Sequence, residues 1–448
     1  MLQWIAVAMT LLVIGHVMIL TIHDLRTYSG IDLRAKVVGA RLLIRGLNPY
    51  YDFRHEIHID HLRMLSDNTY SPILLILYVP LCEIGWTLQR VLYFLIDWAA
   101  MLLSYVAVAR IFPKRSSGTA LWIGFVLLFI ADFGFRFHLE RGQYYVELAF
   151  LAAVASVCLF QESSLWLNAL PLALLVLLRP TYAITILGIV ALRRVRHAIH
   201  VVILCGLLFV ATLPFVGIGE WKSYVASVRS SEKQALNDAY ASGPRLAGAN
   251  PGQVIEGIDY SKSLAGPGYL ADRTLVGLAR GSVSPALARF VHVIAPSKLR
   301  FERLNTICLL LMFCFDLAVM HGFSRGRARG LIPIAFVFLA PLNLELFAPQ
   351  HYGYCDVMIL APLLLILAAA LENAELRGWV LYAALLAVGY VLPQLAFHFN
   401  EHVPLVSFSK YVVTLAVLNV VCIESAQSTL RRWRAGAVRS DEGTGAVS

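Results

Sequence analysis

Trp4-Ile5-Ala6-Val7-Ala8-Met9-Thr10-Leu11-Leu12-Val13-Ile14-Gly15-His16-Val17-Met18-Ile19-Leu20-Thr21-Ile22 runs straight into His23-Asp24-Leu25-Arg26-Thr27-Tyr28-Ser29-Gly30-Ile31-Asp32-Leu33-Arg34. The first stretch holds no Asp, Glu, Lys or Arg. Its length suits a membrane crossing, which needs about 20 apolar residues. No charged segment precedes it and no small-residue cleavage site ends it, so it reads as a retained helix and not as a signal peptide. The second stretch opens a charged, aromatic loop from His23 to Tyr70, with acids at Asp24, Asp32, Asp52, Glu56, Asp60 and Asp67. Acids close behind a first spanning helix point to chemistry at a membrane surface.

The rest of the chain agrees with that beginning. It has 448 residues, 59% of them hydrophobic and 15% charged, against roughly 25% charged in soluble domains. The mean hydropathy is +0.70. The expected fold is an all-α polytopic membrane protein. The net charge of +9 does not indicate a nucleic-acid partner, because the basic residues sit in short clusters between apolar runs. The seven cysteines are scattered with no CxxC pair, which argues against a disulfide framework and against a zinc site. There is no Walker loop and no dinucleotide fingerprint, so no cofactor is implied and a sugar donor would be lipid-borne.

The basic clusters Arg110/Lys114/Arg115, Arg193/Arg194/Arg196, Arg325/Arg327/Arg329 and Arg431/Arg432/Arg434 orient the chain if all four are cytoplasmic. The His23–Tyr70 loop is then external. Ser71 to Phe112 makes a net single crossing, with Ser71 to Gly85 a short re-entrant or interfacial helix. Further spans are expected near 119–135, 144–160, 166–178, 182–192, 201–217, 303–320, 331–346, 355–371, 379–397 and 405–423. The total is about twelve crossings with both termini cytoplasmic. Residues 1–424 form the membrane domain, with first and long external loops at 23–70 and 219–300. Residues 425–448 form a basic cytoplasmic tail whose Trp433 and arginines suit anionic headgroups. Five unusual polar segments share the external side: the Asp32 loop, Glu140-Arg141-Gly142-Gln143-Tyr144, Arg179-Pro180-Thr181, Gly219–Arg300 and Gln350-His351-Tyr352.

Each segment reads two ways. Asp32 is a general base for an acceptor hydroxyl, or a loop acid paired with Arg34 or Arg26. Glu140 and Arg141 face a cavity, or Arg141 anchors the interface beside Tyr144 and Tyr145. Arg179 meets a phosphate where Pro180 breaks the helix, or snorkels from a kinked hairpin. His351 binds phosphate or sugar, or joins Tyr352 and Tyr354 in an aromatic belt. His55, His58, His61 and Asp60 share a helical spacing, too weak a pattern to assign a metal.

Taken in order, these segments resemble glycosyltransferase family 87, which includes polyprenyl-phosphate-mannose-dependent mannosyltransferases. Ile31-Asp32-Leu33-Arg34-Ala35-Lys36-Val37-Val38-Gly39-Ala40-Arg41-Leu42 is similar to that family's first external loop. Gly46 with Pro49-Tyr50 resembles its Gly-x-x-x-Tyr element, and Tyr70-Ser71-Pro72 its Tyr-Pro-Pro element. Gly142-Gln143 resembles a Gly-Gln-x-Asn turn, Leu178-Arg179-Pro180-Thr181 a Lys-x-x-Pro segment, and Asn250-Pro251-Gly252-Gln253 an Asn-Gln element. Ala348-Pro349-Gln350-His351-Tyr352 with Leu360-Ala361-Pro362 resembles a Ser-Pro-x-Ser-Trp-x-His-His segment and its downstream proline. Tyr145 stands where the family has Asn, Arg179 where it has Lys, and the Ser-x-Ser-Trp pattern is absent.

The resemblance implies a GT-C-like membrane fold and inverting transfer on the external face. The donor would be a polyprenyl-monophosphate sugar, mannose or another hexose or pentose, and the acceptor a lipid or glycan. It implies Asp32 as the base; Arg141, Gln143, Arg179, His351, Tyr50 and Tyr352 are the candidates around the substrates, and no metal is assigned. Asp24 is the alternative base. Two other readings stay open. One is a flippase of lipid-linked sugars, although no repeated halves are visible. The other is an O-antigen ligase or polymerase, for which the long loop offers Arg229, Arg245, Arg273, Arg280, Arg289 and Arg300.

Overall fold

Apolar runs become helices because a chain out of water must satisfy its own backbone groups. The computed structural model describes residues 2–27, 30–50, 58, 59, 62, 63, 69–111, 115–130, 135, 138, 139, 141–161, 164–242, 287, 290, 291, 294, 297–326, 330–347, 353–372, 412, 414–431 and 433. In chain order the helices are α1 (Leu2–Thr27), α2 (Ile31–Ile44), α3 (Pro72–Cys82), α4 (Trp86–Ala109) and α5 (Arg115–Phe125), the last ending in a π-helical turn, Val126–Ile130. Then come α6 (Tyr145–Gln161), α7 (Leu165–Leu178), α8 (Ile184–Ala191) and α9 (Val195–Ser242). The series ends with α10 (Lys298–Arg325), α11 (Leu331–Glu345), α12 (Leu360–Glu372) and a C-terminal helix over 414–431. A short antiparallel hairpin pairs β1 (His58–Ile59) with β2 (Leu62–Arg63).

Three of these helices, Trp86–Ala109, Val195–Lys233 and Lys298–Arg325, are long and apolar enough to cross a membrane. Eight shorter apolar helices of 10–17 residues accompany them. At about 16 Å, α3 is too short to cross. Its start and end both meet α2, through Tyr70 over Lys36 and the Cys82 carbonyl accepting from Arg41 Nε. Ser71 and Pro72 account for its start: the serine hydroxyl accepts from Leu74 N, and proline occupies the first turn. Two boundaries differ from the sequence reading. The long loop expected from residue 219 begins as helix, because α9 runs to Ser242 through a kink at Gly217. The tail expected from 425 begins as helix too, up to residue 431.

The core lies where α11 and α12 pack among α4, α6 and α8, with Phe336, Phe338, Leu339, Val146, Ala149 and Leu363 fully enclosed. Outer helices keep apolar residues exposed, as at Val202, Leu207, Val210 and Phe215 of α9, the pattern of a lipid-facing surface. Inside the bundle, Asn343 Nδ2 donates to Asp316 Oδ1 at 2.7 Å and to Asn419 Oδ1 at 2.9 Å, joining α10, α11 and the C-terminal helix.

The bundle has two chemically different ends. Arg194 donates to the Leu159 carbonyl at the end of α6, and Gly326 packs on Thr429, so Arg325 and Arg431 lie near each other. Arg110 lies about 36 Å along α4 from Trp86, which itself sits beside Gly30 at the other end. That other end holds the starts of α2, α3 and α6, the end of α7 and the end of α11.

Candidate functional site

The site begins with α2. Gly30 precedes it in the left-handed region at φ 57°, and Asp32 sits in the first turn, where the helix dipole favours an anion. Leu47 N donates to Leu42 O and Gly46 N to Leu43 O, a Schellman closure that ends the helix. Although α2 carries Asp32, Arg34, Lys36 and Arg41, its side chains Leu33, Lys36, Val37 and Ala40 are all enclosed.

A turn before α6 presses against it. Gly142 has φ +74°, and a Cβ there would lie 2.5 Å from Leu33 Cβ. Only glycine permits both that backbone and that approach. The turn therefore brings Arg141 to Asp32, with Nε to Oδ2 at 2.7 Å and Nη2 to Oδ1 at 3.4 Å. Side-chain exposure is 16% for Arg141 and 6% for Asp32.

From this pair a network of polar and ring contacts extends. Tyr70 OH donates to Gln143 Oε1 at 3.5 Å, and Tyr50 OH donates to the Tyr70 carbonyl at 3.0 Å. The Tyr70 ring meets Tyr144 edge-on, and Tyr144 stacks on Tyr145. Arg179 Nη1 donates to Tyr145 OH at 3.0 Å and its Nε to Glu345 Oε1 at 2.5 Å. Thr181 donates to the same Glu345 oxygen at 2.9 Å. Pro180 ends α7 as expected, and Arg179, extended at φ −143°, turns into this network.

Five residues singled out in the sequence thus come together: Asp32, Arg141, Gln143, Arg179 and Tyr50. His351, Tyr352 and Asn250–Gln253 lie outside the described residues, and so do the side chains of Asp24, Glu140 and the His55–His61 cluster. The sequence reading missed Glu345, Lys36 and the tyrosines Tyr70, Tyr144 and Tyr145 as network members. A signal existed for Glu345, the lone acid closing the apolar run Leu331–Glu345.

A second cluster lies beside Lys36. Donor atoms of Asp97, His138 and Glu147 converge within 4.8 Å of one another, a spacing that suits a metal. His138 argues otherwise. Its Nε2 accepts from Tyr145 N at 2.9 Å and Val146 N at 3.2 Å, capping α6. A neutral imidazole accepting there carries its proton on Nδ1, the atom that faces Asp97 Oδ2 at 3.5 Å. A proton, not a lone pair, points at the acids. Burial, reinforced by the Lys36 charge, holds His138 well below the usual histidine range. The Lys36 ammonium already supplies a cation to this group, since Glu147 and Asp97 act on it electrostatically.

An apolar helical bundle with lipid-facing outer helices, and with charges buried in pairs at one end, defines a membrane protein. Residues 68–315, more than half of the chain, match the sequence model of glycosyltransferase family 87, and the chain belongs to that family. It is a membrane glycosyltransferase, which moves a sugar from a donor to an acceptor. The match includes Tyr70, Arg141, Gln143 and Arg179. It begins after Asp32 and Lys36 and ends before Glu345 and His351. No curated protein and no solved structure matches the chain.

Proposed function

We propose that the protein transfers a sugar from a polyprenyl-monophosphate donor to a lipid or glycan hydroxyl, with inversion, at the external face of the cell membrane. Both termini are cytoplasmic in this reading, with about twelve crossings. The observation that carries it is the direct bond between the Asp32 carboxylate and the Arg141 guanidinium, beside Gln143 and the tyrosines that lead to Arg179. It supplies a base and a phosphate-binding group side by side.

In the free enzyme Asp32 is clamped by Arg141, so the two roles are exclusive until the donor arrives. The donor's phosphodiester offers Arg141 a second anion with two oxygens to pair. As Arg141 turns to it, the Asp32 carboxylate is released to accept the acceptor's proton. The hydroxyl oxygen attacks the anomeric carbon, and the lipid phosphate leaves with the bonding electrons. Arg141, Arg179 and His351 stabilise the growing phosphate charge. Grooves between apolar helices hold the polyprenyl tail.

The test is transfer by purified protein with radiolabelled polyprenyl-phosphate-mannose and a lipid acceptor pool, wild type beside Asp32→Asn. Transfer by wild type and none by the folded variant supports the reading. Equal transfer by both removes Asp32 as the base and turns attention to Asp24. If mannose is not moved, other polyprenyl-phosphate sugars follow.

A further inference from the structure

Lys36 follows Asp32 by one helical turn and has no part in the reading above. Its side chain is fully enclosed, and Nζ has no hydrogen-bond partner among the described residues. Four tyrosine rings surround it, Tyr78 and Tyr93 at 5.1 Å, Tyr70 at 5.5 Å and Tyr144 at 5.6 Å. The charged and titratable groups facing it come from every neighbouring element. They are Asp32 on its own helix, Tyr70 before α3, Tyr78 on α3, Tyr93 and Asp97 on α4, His138 and Tyr144 before α6, and Glu147 on α6.

A buried ammonium without a hydrogen bond is costly, and ring faces offset only part of that cost. Methionine would fill the same space with no charge to desolvate. The position therefore uses the charge. Two tyrosines of the cage belong to the site itself: Tyr70 bonds Gln143, and Tyr144 stacks on Tyr145, the partner of Arg179. The cage fixes the ammonium on the helix that carries Asp32, against two tyrosines of the site.

We propose that Lys36 is a positioning residue for transfer: its caged ammonium holds the Asp32 carboxylate in place once Arg141 has turned to the donor phosphate. A carboxylate whose arginine has turned away keeps its place only if another cation remains near it. Lys36 is the cation that stays. The proposal rests on Asp32 being the base.

Lysine's own titration makes it testable. Burial pushes the ammonium down to about 8, against the opposing pull of Glu147, Asp97 and Asp32. Its charge is complete below that pH and is lost as pH rises through it. An arginine stays charged throughout.

The experiment measures kcat, KM and thermal midpoint in detergent for wild type, Lys36→Met, Lys36→Arg and Asp32→Asn. It uses whichever polyprenyl-phosphate sugar the wild type accepts, from pH 6 to 10. Lys36→Met is expected to keep its KM for donor while kcat falls about 100-fold, the size of a Coulomb interaction between partly desolvated charges. The wild-type rate should fall above about pH 8. Lys36→Arg should hold its rate there. Wild-type kcat in Lys36→Met would overturn the proposal while a dead Asp32→Asn left the base assignment standing. A basic limb shared by wild type and Lys36→Arg would make Lys36 structural only, and so overturn it as well. An active Asp32→Asn would overturn the base, and this proposal with it.

Discussion

Two arginine–carboxylate pairs stand at the same end of the bundle, and their carboxylates are held differently. Glu345 has no exposed side-chain surface, and one of its oxygens accepts from both Arg179 and Thr181. Arg179 is held in turn by the hydroxyl of Tyr145 and lies over its ring at 5.0 Å. Asp32 accepts from Arg141 among the described residues and sits at the rim of a short helix. A carboxylate with several protein partners is a fixture, because removing one partner leaves the others mis-set. One held by a single arginine is exchangeable for a ligand of the same geometry. On the function proposed above, Arg179–Glu345 is architecture that presents a cation and Arg141–Asp32 is the working pair.

The sharpest break between them is Asp32→Asn beside Glu345→Gln. Asp32→Asn should lower transfer by about 1,000-fold, the middle of the range for losing a general base, with little change in thermal midpoint. Glu345→Gln should instead show its main effect in stability. Losing one partner of a buried pair costs about 3 kcal/mol, read as a lowered unfolding midpoint in detergent. If the two variants showed the same profile, the division of labour would be wrong.

Gly142→Ala attacks the geometry between the pairs. Its Cβ would meet Leu33 Cβ at 2.5 Å on a backbone at φ +74°. The strain and overpacking should cost about 2 kcal/mol and part Arg141 from Asp32. Weaker donor binding together with a lower unfolding midpoint is the expected result.

The smallest effect is a pH dependence of stability. Burial holds folded His138 well below its ordinary value near 6.5, so the unfolded chain binds a proton that the folded chain refuses. Stability from this group is complete above about pH 6.5 and declines as pH falls below it, by at most about 1.4 kcal/mol per pH unit. Thermal midpoints of wild type and His138→Asn between pH 7 and 5 check this. The wild-type curve should slope more steeply.

Much of this was legible in residues. Ser71-Pro72 announced the start of α3, Pro180 the end of α7, and Gly142 a turn, because caps and breakers act through local backbone chemistry. Asp32, Arg141 and Arg179 stood out because a charge beside an apolar run requires a reason. The extension of α9 to Ser242 was not legible. Its polar second half follows a glycine kink, and composition alone cannot say whether a polar stretch continues a helix. Lys36 was hidden for a different reason. At the fourth place after an acid, a lysine ordinarily forms an exposed i,i+4 pair. Only the packing of α3, α4 and α6 around α2 turns that surface position into the most enclosed cation near the site.

The amino-acid order alone determined a membrane-embedded helical chain with its basic clusters set apart from its unusual acids and arginines, since hydropathy and charge are properties of short segments. It also carried the family, through motifs kept in order along the chain. Tertiary structure decided the partners: Arg141 with Asp32, 109 positions apart, Arg179 with Glu345, 166 apart, and Lys36 within four tyrosines from three other parts of the chain. Buried charges are stable only where opposite charges or ring faces meet them, and such meetings depend on how helices pack.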